Sequence, residues 1–466
     1  NKYLLLVRRY LNNNINIESY NMIGLIISLI LLIYLIYRGF PVLIVSPLMA
    51  MLAVFMGSDI PVFYSWTGPF MDSVVSFISA YFPIFLVGAV FGTLMNASGA
   101  ALTIAHFISD KMGEKRAIIA VIIASFLLTY GGISVFVVVF AVLPIARTIF
   151  IKSNYPQRLL PSAICAGCLP AYVAPGSAQF INAIPIPVFN TTIYSGLVIG
   201  IVGTAVWLLF AVWYMSAKIK NAKIKGEGYG TEVSNDCNLE TGKVTLAFIP
   251  ILIVIIGNAF LTYFFQIDEV VDYYRDFGGV QGTWAILISI AIAIVVTICI
   301  YWNTFKSDIK KTLTLGATES LLPIFNTSTQ VGYGGVIKVL PVFTLIQTTI
   351  FSIPGVALFP AIIGTAILSG IVGSTSGGVG LVMVTFGQDL LELSQAQNIS
   401  PGLMHRIIVF SASTLDTLPH SGFIITLLGV CGLSHKQSYK ELFIVTCVFP
   451  AFAVLSMLVY AFLFLI

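Results

Sequence analysis

The residues best placed to do chemistry lie in one stretch, Ser411 to Thr426. It reads Ser-Ala-Ser-Thr-Leu-Asp-Thr-Leu-Pro-His-Ser-Gly-Phe-Ile-Ile-Thr, between apolar runs long enough to cross a bilayer. It holds an acid (Asp416), a histidine (His420), a proline (Pro419) and several hydroxyls. Ionisable groups at membrane depth cost roughly 3 kcal/mol or more each, so they face a cavity or a partner and mark a pathway. An unbroken helix would put Asp416 and His420 on one face. Pro419 lacks an N–H and clashes with the carbonyl four residues back, so a regular turn is not expected there. Histidine titrates near neutral pH, so the pair suits a coupling proton. The same residues also describe a kinked helix whose Asp and His satisfy one another inside a bundle.

Composition sets the surroundings. The chain has 466 residues, 58% hydrophobic and 9% charged, with a mean hydropathy of +0.99. Soluble domains are about a quarter charged, so the composition is that of a polytopic membrane protein. The apolar stretches are long runs, not ten-residue alternations, which selects helices over a barrel. The net charge of +4 is small and scattered and excludes a nucleic-acid footprint. Of Cys165, Cys168, Cys237, Cys299, Cys431 and Cys447, only the first two have ligand-like spacing. No second pair or histidine follows them, so they read as small packing residues, with no metal site, cofactor or disulfide framework.

Residues 1–21 are polar and Asn-rich and read as a tail or a non-native lead-in, outside the fold. Apolar runs follow at 23–37, 41–56, 74–108, 117–150, 159–172, 191–217, 244–265, 283–302, 313–345, 348–386, 407–432 and 442–466. Several exceed the ~20 residues that cross a bilayer, so about 10 to 13 membrane segments are expected. Segment 218–243 carries five lysines, 266–280 one arginine among acids, and 303–312 three lysines. Lysine and arginine favour the cytoplasmic side, which places the first and third inside and the second outside. Segment 218–243 is then a cytoplasmic linker between halves 22–217 and 244–466.

The halves echo one another. The first offers Gly131, Gly132 and Ser134, then Arg158, then Gly176, Ser177 and Gln179. The second offers Asn326, Thr327 and Ser328, then Ser374, Thr375, Ser376 and Gly377, then Arg406 and the Asp416 stretch. Gly132 precedes Arg158 by 26 residues and Gly378 precedes Arg406 by 28. Duplicated halves with interrupted apolar segments point to a secondary transporter. Backbone leaves helical pairing at membrane depth only where it lines a cavity or is buried in protein. Each glycine break would start a half-helix whose first amides and positive dipole end suit a carboxylate. The hydroxyls and amides of Ser134, Ser177, Gln179, Asn326, Ser328, Ser374, Thr375 and Ser376 could read substrate hydroxyls. Taken singly, such clusters serve close helix packing. Arg158 and Arg406 read as interfacial anchors or, no more strongly, as substrate contacts. Glu319 reads as a helix cap or a second coupling acid, and His106 with Asp110 as a solvated helix end.

Leu415-Asp416-Thr417-Leu418-Pro419-His420-Ser421-Gly422 and Thr129-Tyr130-Gly131-Gly132-Ile133-Ser134 resemble the gluconate permease (GntP) family of the ion transporter superfamily. The likeness extends over most of 22–466. It implies an all-α fold of inverted repeats with re-entrant hairpins and broken helices, a scaffold, a mobile transport domain and commonly a homodimer. It further implies a bacterial inner-membrane symporter that takes up a sugar acid or another small carboxylate with protons. Gluconate-type members carry a Pro-Gly-Thr-Pro-Gln-like loop where this chain has Pro175-Gly176-Ser177-Ala178-Gln179, so a smaller hydroxy acid, a dicarboxylate or citrate fits as well as gluconate. Sodium coupling stands as the alternative, since unwound carbonyls with hydroxyls can hold that ion. A channel remains a third option. An intramembrane enzyme is disfavoured because no Gly-x-Ser-x-Gly or His-Glu-x-x-His motif is present.

Overall fold

Backbone groups in hydrocarbon must be paired within their own segment, so long apolar runs become helices. The computed structural model bears this out. It describes residues 22–36, 38, 40–112, 116–230, 243–275, 283–341, 343, 348, 349, 352, 353, 355–419 and 421–465, and among these there is no strand. In chain order the helices are α1 (Met22–Ile36), α2 (Val42–Gly57), α3 (Val62–Ala97), α4 (Ala100–Met112), α5 (Ala117–Tyr130) and α6 (Val135–Lys152). Next come α7 (Leu160–Val173), α8 (Leu197–Ile224), α9 (Val244–Phe264), α10 (Asp268–Arg275), α11 (Trp284–Ile300) and α12 (Ile309–Val339). The last are α13 (Leu358–Val372), α14 (Thr375–Ala396), α15 (Pro401–Ala412), α16 (Gly422–Cys431) and α17 (His435–Phe464). Helices α3 and α17 each contain one π-helical turn, at Trp66–Phe70 and Ile444–Val448.

Several edges differ from the apolar runs. Helix α8 continues past residue 217 to Ile224, carrying Lys218, Lys220 and Lys223. Helix α17 starts before its run, at His435, behind a capping box built by Ser434 and Gln437. The run 74–108 breaks after Ala97, where Gly99 takes a positive φ of 73°. Hydropathy marks burial in lipid, and a capped polar turn extends a helix into the interface without that signal.

The helices pack as two groups. Helices α2, α3, α9, α11 and α12 form one, with α3 lying along α12. A Cβ at Gly316 would sit 2.8 Å from the Val90 backbone, and one at Gly335 would sit 2.9 Å from the Pro69 carbonyl. Small residues let the two backbones approach that closely. Glu319 lies well inside α12 and accepts from Thr93 Oγ1 at 2.6 Å, so it is an inter-helix contact and not a cap. Helices α5, α7, α8 and α13 to α17 form the other group, in which α5 packs on α7, α13 on α14 and α15, and α8 on α17.

One ionic cluster ties this second group together at one end. Arg158 donates to Glu227 through Nε at 2.5 Å and Nη2 at 2.9 Å, and through Nη1 to Glu441 at 2.7 Å. Lys218 reaches the same Glu441 oxygen at 3.4 Å. Arg158 therefore bridges three elements, in place of the anchor role its sequence position suggests. The hydrogen bond from Arg158 holds the Glu227 carboxyl below the ordinary glutamate range.

Two predictions follow from this packing. A Cβ at Gly167 would stand 2.0 Å from the Ile122 carbonyl oxygen. Gly167→Ala should therefore lower the thermal stability of the purified protein, by about 1–3 kcal/mol. A carboxyl with a depressed folded pKa adds stability above its unfolded value and loses it as pH falls through the folded one. The melting-temperature gap between wild type and Glu227→Gln should be constant above pH 5 and close on further acidification.

Candidate functional site

The first break separates α5 from α6. Gly132 turns the chain with φ of 94°, and Ser134 stands extended at the head of α6 without capping it. The break leaves carbonyls short of helical partners, and the loop after α7 supplies them. The Gln179 amide donates to Thr129 O at 2.7 Å and Ile133 O at 2.9 Å, while Ala178 N donates to Tyr130 O at 3.2 Å. Within that loop Gly176 has φ of 77°, and a Cβ there would meet the Tyr194 ring at 2.4 Å. The Tyr130 hydroxyl donates to Pro175 O at 3.0 Å. Ser177 is buried and its Oγ has no partner. Gly131, Gly132, Gly176, Ser177 and Gln179 thus come together, with Ser134 half-buried beside them. Gln179 uses its N–H groups on the break, so reading of a substrate would fall to its carbonyl alone.

The second break lies between α13 and α14. Gly373 closes α13 with φ of 66°, and Ser374 caps α14 by accepting from Gly377 N at 3.2 Å. Ser376 Oγ stands 3.4 Å from both Ser374 Oγ and Thr327 Oγ1. Gln330 on α12 presses on the same turn, since a Cβ at Gly377 would be 1.8 Å from its Oε1. Asn326, one turn earlier on α12, has a buried Oδ1 without a partner. Ser328 donates to its own helix at Phe325 O, 3.1 Å away, and does not join the cluster.

Asp416 completes this side. Thr375 Oγ1 donates to its Oδ2, while Oδ1 is buried without a partner. The carboxyl is 5% exposed. It sits on a non-helical segment that begins after Ala412, well before Pro419, so the proline does not start the break. Helix α17 holds that segment open. Thr417 Oγ1 bonds Thr446 Oγ1 at 2.7 Å, the Tyr439 hydroxyl donates to Thr417 O at 3.0 Å, and His435 Nε2 donates to Pro419 O at 3.0 Å. A carbonyl only accepts, so Nε2 carries the proton of His435. His420, the expected partner of Asp416, lies outside the described residues.

Tyr172 joins the two sides. It stands at the end of α7 near Ser376 and Asp416, and its ring packs 5.9 Å from that of Phe180. Phe180 in turn lies 4.0 Å from Phe85 of α3. The two breaks therefore meet where the second helix group faces α3 and α12. Sequence reasoning missed Tyr172, Gln330 and His405; His405 is buried and holds Thr191 Oγ1 at 2.7 Å through Nδ1. Only Gln330 carried a usable signal, being a buried-type amide one turn after Asn326. Arg406 is fully buried, not an interfacial anchor. Among the described residues no three His, Cys, Asp or Glu side chains gather as metal ligands.

Paired broken helices at a buried polar junction are the architecture of a multi-pass helical transporter. Residues 20–463 match the GntP family permease description, and the chain belongs to that family. It is 34% identical over 462 residues to the uncharacterized transporter YxjC of Bacillus subtilis, covering 93% of this chain and 98% of that one. An uncharacterized transporter of Haemophilus influenzae is 24% identical over 368 residues, covering 78% and 80%. The fold resembles the YdaH transporter of Alcanivorax borkumensis, with TM-score 0.57, 12% identity and coverage of 86% and 88%. It also resembles MtrF of Neisseria gonorrhoeae, described with a class of antimetabolite efflux pumps, with TM-score 0.51, 13% identity and coverage of 84% and 83%.

Gln179→Leu would leave the Ile133 carbonyl unpaired and take from Thr129 O one of its two donors, the other being Gly132 N, at about 1–3 kcal/mol for the unpaired group. The variant should melt at lower temperature in substrate-free detergent solution, where loss of a substrate contact alone would change nothing.

Proposed function

We propose that the protein is a proton-coupled symporter that takes up a small organic anion, a sugar acid or related hydroxycarboxylate, across a bacterial cytoplasmic membrane. The observation that carries this reading is Asp416: a buried carboxyl on unwound backbone, bonded to Thr375 at the first turn of half-helix α14. A carboxyl so placed can exchange a proton while the neighbouring half-helix tips receive the substrate. In this reading the anion docks between Gly131, Gly132 and Ser134 on one side and Ser374 to Gly377 on the other. The α6 tip has no side-chain cap, which leaves its first amides for a carboxylate. Ser177 and Asn326, each with an unpartnered buried oxygen, would take substrate hydroxyls. Asp416 and His420 would carry the coupling proton. The halves 22–217 and 244–466 act as inverted repeats around linker 218–243. The group around the breaks moves against α3 and α12, in a homodimer supported by the family likeness.

One observation favours sodium as the second reading. Asp416 Oδ1, Gln330 Oε1, Asn326 Oδ1 and Ser369 Oγ are all buried acceptors without partners around the α14 tip. Such an oxygen set also suits a hard monovalent cation.

Proteoliposomes separate the two. Uptake of radiolabelled gluconate, citrate, 3-hydroxybutyrate and succinate is followed under a pH gradient without sodium, then under a sodium gradient without a pH gradient. We expect accumulation of one acid class driven by the pH gradient and reduced to background in Asp416→Asn. Accumulation driven by the sodium gradient and not by the pH gradient would transfer the reading to sodium. No accumulation under either gradient would overturn both.

A further inference from the structure

Arg406 is a fully buried cation of the second helix group that the mechanism above leaves unused, and its surroundings are unusual. Its guanidinium donates to Ser195 O at 3.0 Å, Val173 O at 2.9 Å, Asn182 Oδ1 at 2.6 Å and Ile193 O at 2.6 Å. All four acceptors are neutral. Among the described residues Arg406 is in no ion pair, while Arg158, Lys218 and Arg275 each have a carboxylate. The nearby titratable groups are Tyr130 and His405, and neither supplies an acid. The pocket is shaped to the side chain. A Cβ at Gly196 would stand 2.6 Å from Arg406 Cβ, and one at Gly200 would stand 3.0 Å from its Cδ.

A buried guanidinium is well satisfied in hydrogen bonds here but not in charge, and an unbalanced interior charge is costly. The chain does contain an acid at this depth, Asp416, yet that acid bonds Thr375. Arg406 lies directly behind the loop of the first break. Asn182, which accepts from it, donates through Nδ2 to Ser177 O at 3.3 Å. Val173 O, which also accepts from it, closes α7 immediately before that loop. A helix C-terminus presents negative charge, which repels an anion. A guanidinium seated on that end reverses its sign.

We propose that Arg406 is a positioning residue for anion selectivity, a fixed cation behind the Pro175–Gln179 loop whose missing counter-charge is the transported carboxylate. This rests on the anion-transport reading above. The charge acts through the loop without touching the substrate, so it sets affinity for an anion more than turnover. It also assigns a role to Asn182 as the relay of loop position.

Lysine and glutamine separate charge from bonding at this site. Arg406→Lys keeps the charge and loses the four-bonded fork, whereas Arg406→Gln loses both. Dissociation constants are measured by calorimetry on purified protein for gluconate, citrate, 3-hydroxybutyrate and succinate. For the acid that wild type binds, we expect Arg406→Lys to stay within about 5-fold and Arg406→Gln to weaken binding by about 30-fold or more. If Arg406→Gln does not fold, Arg406→Lys is measured at pH 7 and pH 10.5. Deprotonating the lysine should weaken the anion in that variant beyond the change that the same pH step causes in wild type. Equal weakening in both variants, no weakening in either, no added loss at high pH where that comparison is used, or failure of both to fold would make Arg406 a strap and overturn the proposal alone. Wild type binding none of the four acids would instead overturn the anion-transport reading and this proposal with it.

Discussion

Backbone that leaves a helix at membrane depth must find other hydrogen-bond partners, and that requirement organises the whole molecule. Each break is allowed only because another part of the chain closes on it. At the first, Gln179 and Ala178 take up carbonyls of α5 and of the turn that follows. At the segment after α15, Tyr439 and His435 of α17 do the same work for Thr417 O and Pro419 O. Helices α7 and α17 are therefore paired with breaks they do not belong to. Neither break would persist in an isolated hairpin in lipid.

The two sides of the junction are not chemically equal. The first carries the open amides of α6 and the fixed cation Arg406, with no acid among the described groups around it. The second carries Asp416 and a row of hydroxyls, with α14 already capped by Ser374. Such a division suits one charged ligand and one small coupling ion, bound side by side. The aromatic column of Tyr172, Phe180 and Phe85 carries these two sides onto α3, to which Phe85 belongs.

The helices and the breaks were legible in the sequence because both leave local marks. Apolar runs above bilayer length read as spans, and Gly131-Gly132 and Gly373 interrupt them where the chain does turn. The partners of the breaks left no such mark. Arg406 looked like an anchor since a lone cation in an apolar run fits that role equally well. Its four acceptors lie more than 200 residues earlier, and nothing local announces them. Gln179 was recognised as a residue of the junction, but its donation to the backbone depends on which turn α5 ends on. Pro419 reads as a helix breaker, whereas the helix stops earlier, at Ala412, and the segment that follows is bonded by side chains of α17.

The Arg158 cluster has a consequence for how the chain is made. Arg158 leaves the ribosome 283 residues before its buried partner Glu441, and only 69 residues before Glu227. At about 5–20 residues per second, the wait for Glu441 is tens of seconds and the wait for Glu227 is a few. The exposed half of the cluster thus supplies a counter-ion during insertion of the first half, before the second exists. Arg406 never waits at all: every oxygen it binds has already been synthesised when it emerges. The order of partners along the chain thus gives each of these two arginines an acceptor well before synthesis ends.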